Sequence, residues 1–461
     1  MPVCHNATVK WQLLQPGQRR LRGRAVATGA VLARHAGRLV RTRRQAALGQ
    51  RAAHEVRDAF AELGPTYVKL AQLIASSPGL FPEVLSDELR TLLDRVPPIP
   101  YDAVCDVVSA ELGGRPEDVF ASFDRDPLAS ASIAQVHAAV LRDGEEVVVK
   151  IQRPGLRPLV DADLRILMRF ATLLERTSAR GRMANPVAVV EDFAATLSEE
   201  LNFVVEGRAM EAFERNLRAY GSNDDVRVPS VRWRYTTPRV LTMERVHGYK
   251  IDDLAQLGAK GWDLAGALKK GVRAWLESAL EHGLFHGDVH AGNLMLDTDG
   301  NVVFLDFGIM GRLDPNTKDI IRRGLPALLV HGDFEEVAKA VYEIGAVLKP
   351  ADLEQSAADI EELVGPIMGK PLSEISYGQV LVDIVRIGTR YEVRLPRELV
   401  LVAKQLLYFE RYAKLMAPDW NVLNDPELIS FLFDSIEREV VGEGTGYGRE
   451  QSNDDLRRDP A

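Results

Sequence analysis

The feature that most constrains the fold is a polar segment at residues 286–293, HGDVHAGN, which precedes two short apolar runs and a DFG tripeptide that starts at Asp306. The apolar runs flank a DG turn signal at residues 299–300, and this pattern predicts a β-hairpin. A hairpin returns the chain to its starting point, so it would bring Asp306 back near Asn293. The sequence therefore predicts that these two residues and Asp288 lie close together.

The residue types in this cluster indicate phosphoryl chemistry. An aspartate such as Asp288 can orient an attacking hydroxyl or accept its proton, while an amide oxygen and a carboxylate are hard ligands suited to Mg²⁺ on nucleotide phosphates. The five-residue step from Asp288 to Asn293 equals that of the protein-kinase catalytic loop, in which the Asp is the base and the Asn a metal ligand. We therefore predict Asp288 as a catalytic residue and Asn293 and Asp306 as Mg²⁺ ligands.

A second HGD tripeptide, at residues 331–333, serves as an internal comparison. It lacks the downstream Asn and the DFG tripeptide, and it precedes the helix-like run FEEV. Asp333 is therefore predicted to be a helix N-cap rather than a catalytic residue.

Another hairpin is predicted upstream, over residues 135–152 around a DG turn. Lys150 interrupts its apolar second strand, and two interpretations remain open. The lysine could occupy an edge position and extend its ammonium to water. Alternatively, it could bind phosphate beneath a nucleotide-binding loop.

Small residues dominate the segment just before that hairpin, residues 129–137, ASASIAQVH. Small side chains let a backbone approach a ligand closely, as Gly-rich phosphate loops do, although alanine makes a stiffer loop than glycine. The candidate nucleotide-contacting residues are Ala129, Ser130, Ala131, Ser132, Ile133 and Lys150.

Two helices are predicted before this region, the first starting at Pro65 and the second at Pro82. Lys69 and Gln72 are three residues apart on the first helix and share a face. They form either a solvated polar stripe or part of a site.

Taken together, these motifs resemble those of the UbiB/AarF-type atypical kinases over roughly residues 55–430. Residues 63–72, LGPTYVKLAQ, look like that family's KxGQ signature, and residues 129–137 look like its Ala-rich loop. Single positions match as well. Lys150 matches the family's nucleotide-contacting strand lysine, Glu200 with Asn202 matches the ExD motif, and Glu206 matches the glutamate beyond that motif. Asp288 matches the catalytic aspartate, and Asn293 and Asp306 match the two metal ligands.

The resemblance implies an α+β, two-lobed kinase-like fold whose N-terminal helical extension packs over the active site, where a peptide substrate would otherwise enter. It also implies ATP or ADP with Mg²⁺, and a role in quinone or isoprenoid-lipid metabolism. Two positions depart from the family pattern, because Ala71 replaces the Gly of KxGQ and Asn202 replaces the Asp of ExD. The second change puts in doubt any role that needs a carboxylate there.

The two glutamates are expected on one helix, six residues apart, and therefore to face directions about 240° apart. We hypothesise a Lys150–Glu206 ion pair that positions the nucleotide and a Glu200–Lys69 pair that docks the KxGQ helix. The alternative is that both glutamates are solvated, as most helical glutamates are.

The sequence after Asp306 argues against a peptide substrate. It enters a predicted helix near Pro315 without an Ala-Pro-Glu element and leaves no length for a peptide-docking segment. A lipid or small-molecule acceptor, or ATP hydrolysis coupled to lipid handling, is expected instead. By their place between the two lobes, Glu244 and Val246 are predicted to offer backbone contacts to adenine.

Charge is unevenly distributed along the 461 residues, of which 57 are Lys or Arg and 66 are Asp or Glu. Residues 1–54 carry eleven of the basic side chains and no acidic one. The acidic remainder would repel nucleic acid. The basic arm is either a solvated, disordered segment, an organellar transit peptide, or a peripheral anchor for anionic lipid. Two cysteines and the lack of a 20-residue apolar stretch favour a cytoplasmic protein.

We expect five segments: a basic helical arm (1–54), a KxGQ-type helical extension (55–100), a kinase-like N-lobe with inserted helices (101–248), a helical C-lobe with the catalytic loop (249–440) and a disordered tail (441–461). Three functions are compatible with this organisation. They are a Mg²⁺–ATP-dependent ATPase or atypical kinase of lipid metabolism, a small-molecule phosphotransferase of the aminoglycoside-kinase type, and a non-enzymatic nucleotide-gated lipid chaperone or scaffold. The KxGQ-type extension argues against the second.

Overall fold

The computed structural model describes most of the chain in two compact units. The first unit comprises Met1–Phe203 and Trp233–Thr242, and the second comprises Val204–Arg232 and Met243–Ala461. The residues described are 18–41, 48–75, 83–93, 97–177, 186–327, 332–344, 353–367, 374, 397–420, 425, 426, 428 and 430. The predicted disordered tail, 441–461, lies outside them.

An antiparallel sheet forms the strand layer of the first unit. Its order is β1-β3-β4-β6, and β2 pairs with β3. The predicted upstream hairpin is confirmed, since β3 and β4 pair along their whole length. The strands are β1 Ser122–Phe123, β2 Ala129–Ser130, β3 Ala134–Val140, β4 Glu146–Gln152 and β6 Val240–Glu244, the last of which continues into the second unit.

One face of this sheet is closed by a helix. Side chains of strand β4 point alternately to the two faces of the sheet. Val147, Val149 and Ile151 point into a core cluster that also contains Val104 and Val108 of the helix Tyr101–Leu112. Lys150 therefore lies on the opposite face of the strand. The helices of the first unit are α1 Gln18–Arg41, α2 Leu48–Leu63, α3 Pro65–Ala75, α4 Glu83–Arg90, α5 Tyr101–Leu112, α6 Pro116–Val119, α7 Leu156–Thr177 and α8 Pro186–Glu200.

The predicted basic arm is helical over Gln18–Arg41, and it packs against α2 and α7. Arg24 donates two hydrogen bonds to the buried carboxylate of Asp163, at 2.6 and 2.9 Å. Arg34 pairs with Glu62 of α2 at 2.6 Å. The disordered alternative is therefore wrong for residues 18–41, and α2 runs through the predicted boundary at residue 54.

The predicted glutamate helix is interrupted. Helix α8 ends at Glu200, and the next helix, α9, begins at Phe203, so Glu200 and Glu206 lie on different helices. Asn202 occupies the break, where its backbone N–H donates to the carbonyl of Glu199 at 3.0 Å. The rotation argument from a single helix was wrong.

Within its described residues, the second unit holds two small sheets, with strand orders β5-β10-β9-β7 and β11-β8. Their strands are β5 Val226–Arg227, β7 Gly248–Lys250, β8 Leu284–His286, β9 Leu294–Asp297, β10 Val302–Phe304 and β11 Met310–Arg312. The helices of this unit, after α9 Phe203–Tyr220, are α10 Leu254–Lys260, α11 Leu264–Leu280, α12 Pro315–Pro326, α13 Phe334–Ile344, α14 Leu353–Val364 and α15 Arg397–Met416.

No helix within the described ranges is both long enough and apolar enough to cross a lipid bilayer.

Candidate active site

The segment 286–293 leaves the end of β8 and is anchored by a buried histidine. The Nε2 of His286 donates to the carbonyl of Leu305 at 2.9 Å, and its Nδ1 accepts from the N–H of Asp288 at 3.1 Å. Burial lowers the pKa of His286, which keeps the ring neutral with one donor and one acceptor. The histidine thereby ties this loop, hereafter the catalytic loop, to the end of β10.

The predicted hairpin is present as β9 and β10, and it brings the metal-ligand candidates together. Phe304 pairs with Leu294, and the N–H of Leu305 donates to the carbonyl of Asn293 at 2.8 Å. The side-chain amide of Asn293 donates to the backbone carbonyl of Asp288 at 3.0 Å. Its oxygen therefore points away from that carbonyl, as a metal ligand would require.

Asp306 has an unusual backbone conformation. Its φ is +52°, and within the described part of the chain no other residue except glycine has a positive φ. Aspartate tolerates this region better than most residues, yet the conformation carries a cost that commonly marks functional sites. This conformation occurs just after β10, next to Leu305, whose N–H is bonded to Asn293.

Asp288 is held by a residue that the sequence did not identify as functional. The Nζ of Lys404 lies 2.7 Å from Oδ1 of Asp288. Burial alone would raise the pKa of this carboxyl, but the ammonium of Lys404, followed by His290, outweighs burial, so the pKa lies below its ordinary value. Asp288 is therefore ionised at neutral pH.

The donor set suits a metal that also binds phosphate. Across the described ranges, no group of three or more His, Cys, Asp or Glu side chains is placed to hold a metal ion by itself. Mg²⁺ commonly takes only one or two protein ligands and completes its shell with phosphate and water. One carboxylate, from Asp306, and one amide oxygen, from Asn293, fit that pattern.

In the first unit, Lys150 is buried in the centre of the sheet, because β4 lies between β3 and β6. Its ammonium lies 5.3 Å from the centre of the Phe203 ring. The edge-strand interpretation is therefore wrong. The pairing with Glu206 joins residues of the two units and stays a prediction.

The segment of small residues is more ordered than a flexible phosphate loop. Ala129 and Ser130 form β2, and the N–H of Ala131 donates to the carbonyl of Ala134 at 2.8 Å. Arg153 fixes the tip, because its guanidinium donates to the carbonyl of Ala131 and to the hydroxyl of Ser130, each at 2.9 Å. Ser132 is buried next to this tip. Nucleotide contact here stays a prediction.

The hypothesised Lys69–Glu200 pair is present. The two charged groups lie 2.7 Å apart, and the Glu200 side chain is only 5% exposed. Gln72 is half-buried on the same helix, α3. The substituted Ala71 is completely buried beside Leu89, so the added methyl group fits the packing. The hypothesis that this pair docks the KxGQ helix for catalysis stays a prediction.

The segment predicted to contact adenine is linked through Arg227 to the hairpin of β9 and β10. Arg227 donates to the carboxylates of both Glu244, at 2.5 Å, and Asp297 at the end of β9, at 3.0 Å. The backbone N–H of Glu244 already donates to the carbonyl of Ser230. Of its two backbone groups, only the carbonyl could serve adenine. Val246 is half-buried, and its contact stays a prediction.

Comparison with family models agrees with this geometry. A model described as the ABC1 atypical kinase-like domain matches residues 91–341, more than half of the chain. The chain belongs to the UbiB/AarF family of ABC1 atypical kinase-like proteins. A second model, the UbiB helical domain, matches residues 360–421 and so includes the helix that carries Lys404.

Proteins similar to this chain occur in Mycobacterium tuberculosis and Pseudomonas fluorescens. The chain is 49% identical to an uncharacterized protein of Mycobacterium tuberculosis, over 88% of this chain and 84% of that protein. It is 36% identical to a probable protein kinase UbiB of Pseudomonas fluorescens, over 80% of this chain and 69% of that protein. A solved complex of Rv3197 with erythromycin, from Mycobacterium tuberculosis, matches with a TM-score of 0.51 at 24% identity, covering 77% and 92% of the two chains. That likeness shows the kinase-like fold.

Proposed function

We propose that this UbiB-type protein is a Mg²⁺–ATP-dependent ATPase or atypical kinase that acts on a hydrophobic small molecule or lipid, of the quinone-precursor kind, at a membrane surface. The observation that carries the proposal is the arrangement of Asp288, Asn293 and Asp306. A hydrogen bond within the loop links Asn293 to Asp288, and the hairpin returns the chain so that Asp306 directly follows Leu305, which is bonded to Asn293.

Each of these residues has a distinct part in the proposed reaction. Asp288 orients the attacking water or hydroxyl through a carboxylate that stays ionised. Asn293 and Asp306 hold the Mg²⁺, whose chemistry is to neutralise charge on the nucleotide phosphates. Lys150, with Glu206, is proposed to hold the nucleotide itself.

The chain after Asp306 supports an acceptor other than a peptide. Strand β11 begins only four residues later, at Met310, and pairs with β8. Helix α12 follows at Pro315, where Asp314 caps it by accepting from the N–H of Thr317 at 3.0 Å. The few residues between Asp306 and α12 are thus committed to secondary structure, which leaves no segment on which a peptide could dock.

Contact with a lipid surface is proposed for the outer face of α1. Val26 and Val40 are 72% and 66% exposed on this helix, and Leu32 is also exposed. Arg22, four residues before Val26, is exposed on the same side of the helix. An apolar face with flanking cations is the combination that binds anionic membranes peripherally.

The proposal predicts phosphate release from ATP that requires Mg²⁺. Chelating the metal with EDTA is expected to lower the rate on the order of 10³-fold, because a bound metal contributes several kcal/mol of charge stabilisation. Vesicles containing anionic lipid are expected to raise the rate, and purely zwitterionic vesicles are the matched control. Phosphate release by the full chain is the measurement.

The arms of this experiment separate the candidate functions. A rate of phosphate release that neither kind of vesicle changes, but that a soluble hydroxyl compound raises, would indicate a small-molecule phosphotransferase. No release in any arm, with nucleotide still bound, would leave the non-enzymatic chaperone or scaffold.

The Lys69–Glu200 pair gives a second prediction. Lys69→Glu places two carboxylates together in a nearly buried site, and we expect a loss of about 3 kcal/mol in the free energy of unfolding, together with weaker nucleotide binding. The double variant with Glu200→Lys should recover most of both losses. Thermal unfolding and titration with a fluorescent nucleotide measure them.

The matched control is the exposed pair Arg34–Glu62. Exchanging its charges should change stability by less than about 1 kcal/mol and leave nucleotide binding unchanged. A Lys69–Glu200 double variant no better than the single variants would show that the pair does not dock the KxGQ helix.

A further inference from the structure

One face of α15 lies along the catalytic loop. Lys404, Gln405, Tyr408 and Tyr412 are spaced so that all four share this face. Tyr408 stacks edge-on against His290, with 6.4 Å between ring centres, and the hydroxyl of Tyr412 lies 3.5 Å from the carbonyl oxygen of Val289. The contact thus extends over more than two helical turns and over most of the loop.

Gln405 fixes the backbone on both sides of Asp288. Its side-chain amide donates to the carbonyl of Gly287 at 2.7 Å, and its carbonyl accepts from the N–H of Val289 at 2.7 Å. The residue is fully buried, so both bonds are made away from water. The uncharged primary amide of glutamine offers a donor and an acceptor together, as these two bonds require.

Lys404 acts on the carboxylate rather than on the backbone. Its ammonium contacts Oδ1 of Asp288 at 2.7 Å, and its side chain is 14% exposed. The other oxygen, Oδ2, lies 3.7 Å from Nε2 of the half-exposed His290. One carboxylate oxygen is therefore held by α15, and the second faces the more open side of the loop.

We propose that Lys404 is a positioning residue for the reaction at Asp288: it holds Oδ1 so that Oδ2 is presented to the attacking water or hydroxyl. Gln405 supports this arrangement by fixing the two neighbouring peptide groups. The inference rests on the proposed function of Asp288. It makes the helix from the UbiB helical domain a part of the catalytic machinery.

The activity test compares Lys404→Met with Lys404→Arg. Removing the charge frees the carboxylate to rotate, and we expect kcat for phosphate release to fall roughly 10- to 100-fold while KM for ATP changes less than about twofold. Arginine should restore kcat to within a few-fold of the wild type. The control is Lys414→Met on the same helix, because Lys414 pairs with Glu410 away from the loop and should leave kcat unchanged.

A test that does not need activity is a double-mutant cycle on the free energy of unfolding, with Lys404→Met, Asp288→Asn and both together. If the pair forms, the double variant should be no less stable than the less stable single variant. Strictly additive losses would overturn the inference, as would coupled stabilities accompanied by a wild-type kcat in Lys404→Met. If the wild type releases no phosphate, the proposed function fails, and the cycle alone decides whether Lys404 holds Asp288.

Discussion

Asp306→Asn is expected to lower phosphate release on the order of 10²- to 10³-fold at saturating Mg²⁺–ATP, the size of loss seen when one preorganised electrostatic group is removed from an active site. The substitution removes the negative charge that would hold the metal and keeps the shape of the side chain. Asparagine also tolerates a φ of +52° as well as aspartate does, so the backbone after β10 should not change. Steady-state phosphate release by the full chain measures the effect.

The second HGD tripeptide supplies the matched control. Asp333 caps α13 by accepting from the N–H of Glu336 at 3.0 Å, as its sequence context predicted. Asparagine is an equally good N-cap, so Asp333→Asn should leave both activity and stability nearly unchanged. Equal rates for wild type and Asp306→Asn would refute both enzymatic interpretations.

Arg24→Met is expected to destabilise the first unit by about 3 kcal/mol, because it leaves the completely buried Asp163 without the guanidinium that now binds it in bidentate fashion. The same guanidinium donates to the carbonyl of Leu63 at the end of α2. Its loss therefore also removes a link between α1 and the start of the KxGQ helix. Chemical denaturation of the full chain measures the change.

Two further variants interpret that result. Arg34→Met removes an arginine from the same helix, but its partner, Glu62, is 41% exposed, and the cost should stay below about 1 kcal/mol. Combining Arg24→Met with Asp163→Leu should recover much of the lost stability, since no buried charge then remains unpaired. An Arg24→Met protein as stable as Arg34→Met would mean that α1 does not depend on this pair.

Local patterns were enough to predict the centre of the site. The hairpin that unites Asn293 with Asp306 follows from a turn signal between two apolar runs, and the Asp333 cap follows from the run after it. Both depend on residues close in sequence, so their geometry is determined largely by short-range preferences.

Contacts across long stretches of sequence could not be predicted in the same way. Lys404 and Gln405 reach the catalytic loop from 116 to 118 residues away, and nothing in the loop specifies that distance. The available signal was the polar pair Lys404 and Gln405 in the otherwise apolar run 399–409, much as Lys150 interrupts an apolar strand. The break between Glu200 and Glu206 was missed because it contains neither glycine nor proline; Asn202 alone marks it.

Helix α1 also changes what its own positive charge can do. Arg24 and Arg34 neutralise carboxylates within the first unit, and Arg38 lies 3.7 Å from Glu55, so these charges are not fully available to an outside partner. The inner side of the helix covers Tyr67, on the helix that bears Lys69. Removing α1 would therefore do more than remove the proposed membrane contact. It would also leave part of the core of the first unit uncovered. Because one helix both covers this core and presents the proposed lipid-binding side, lipid binding would act on the stability of the first unit.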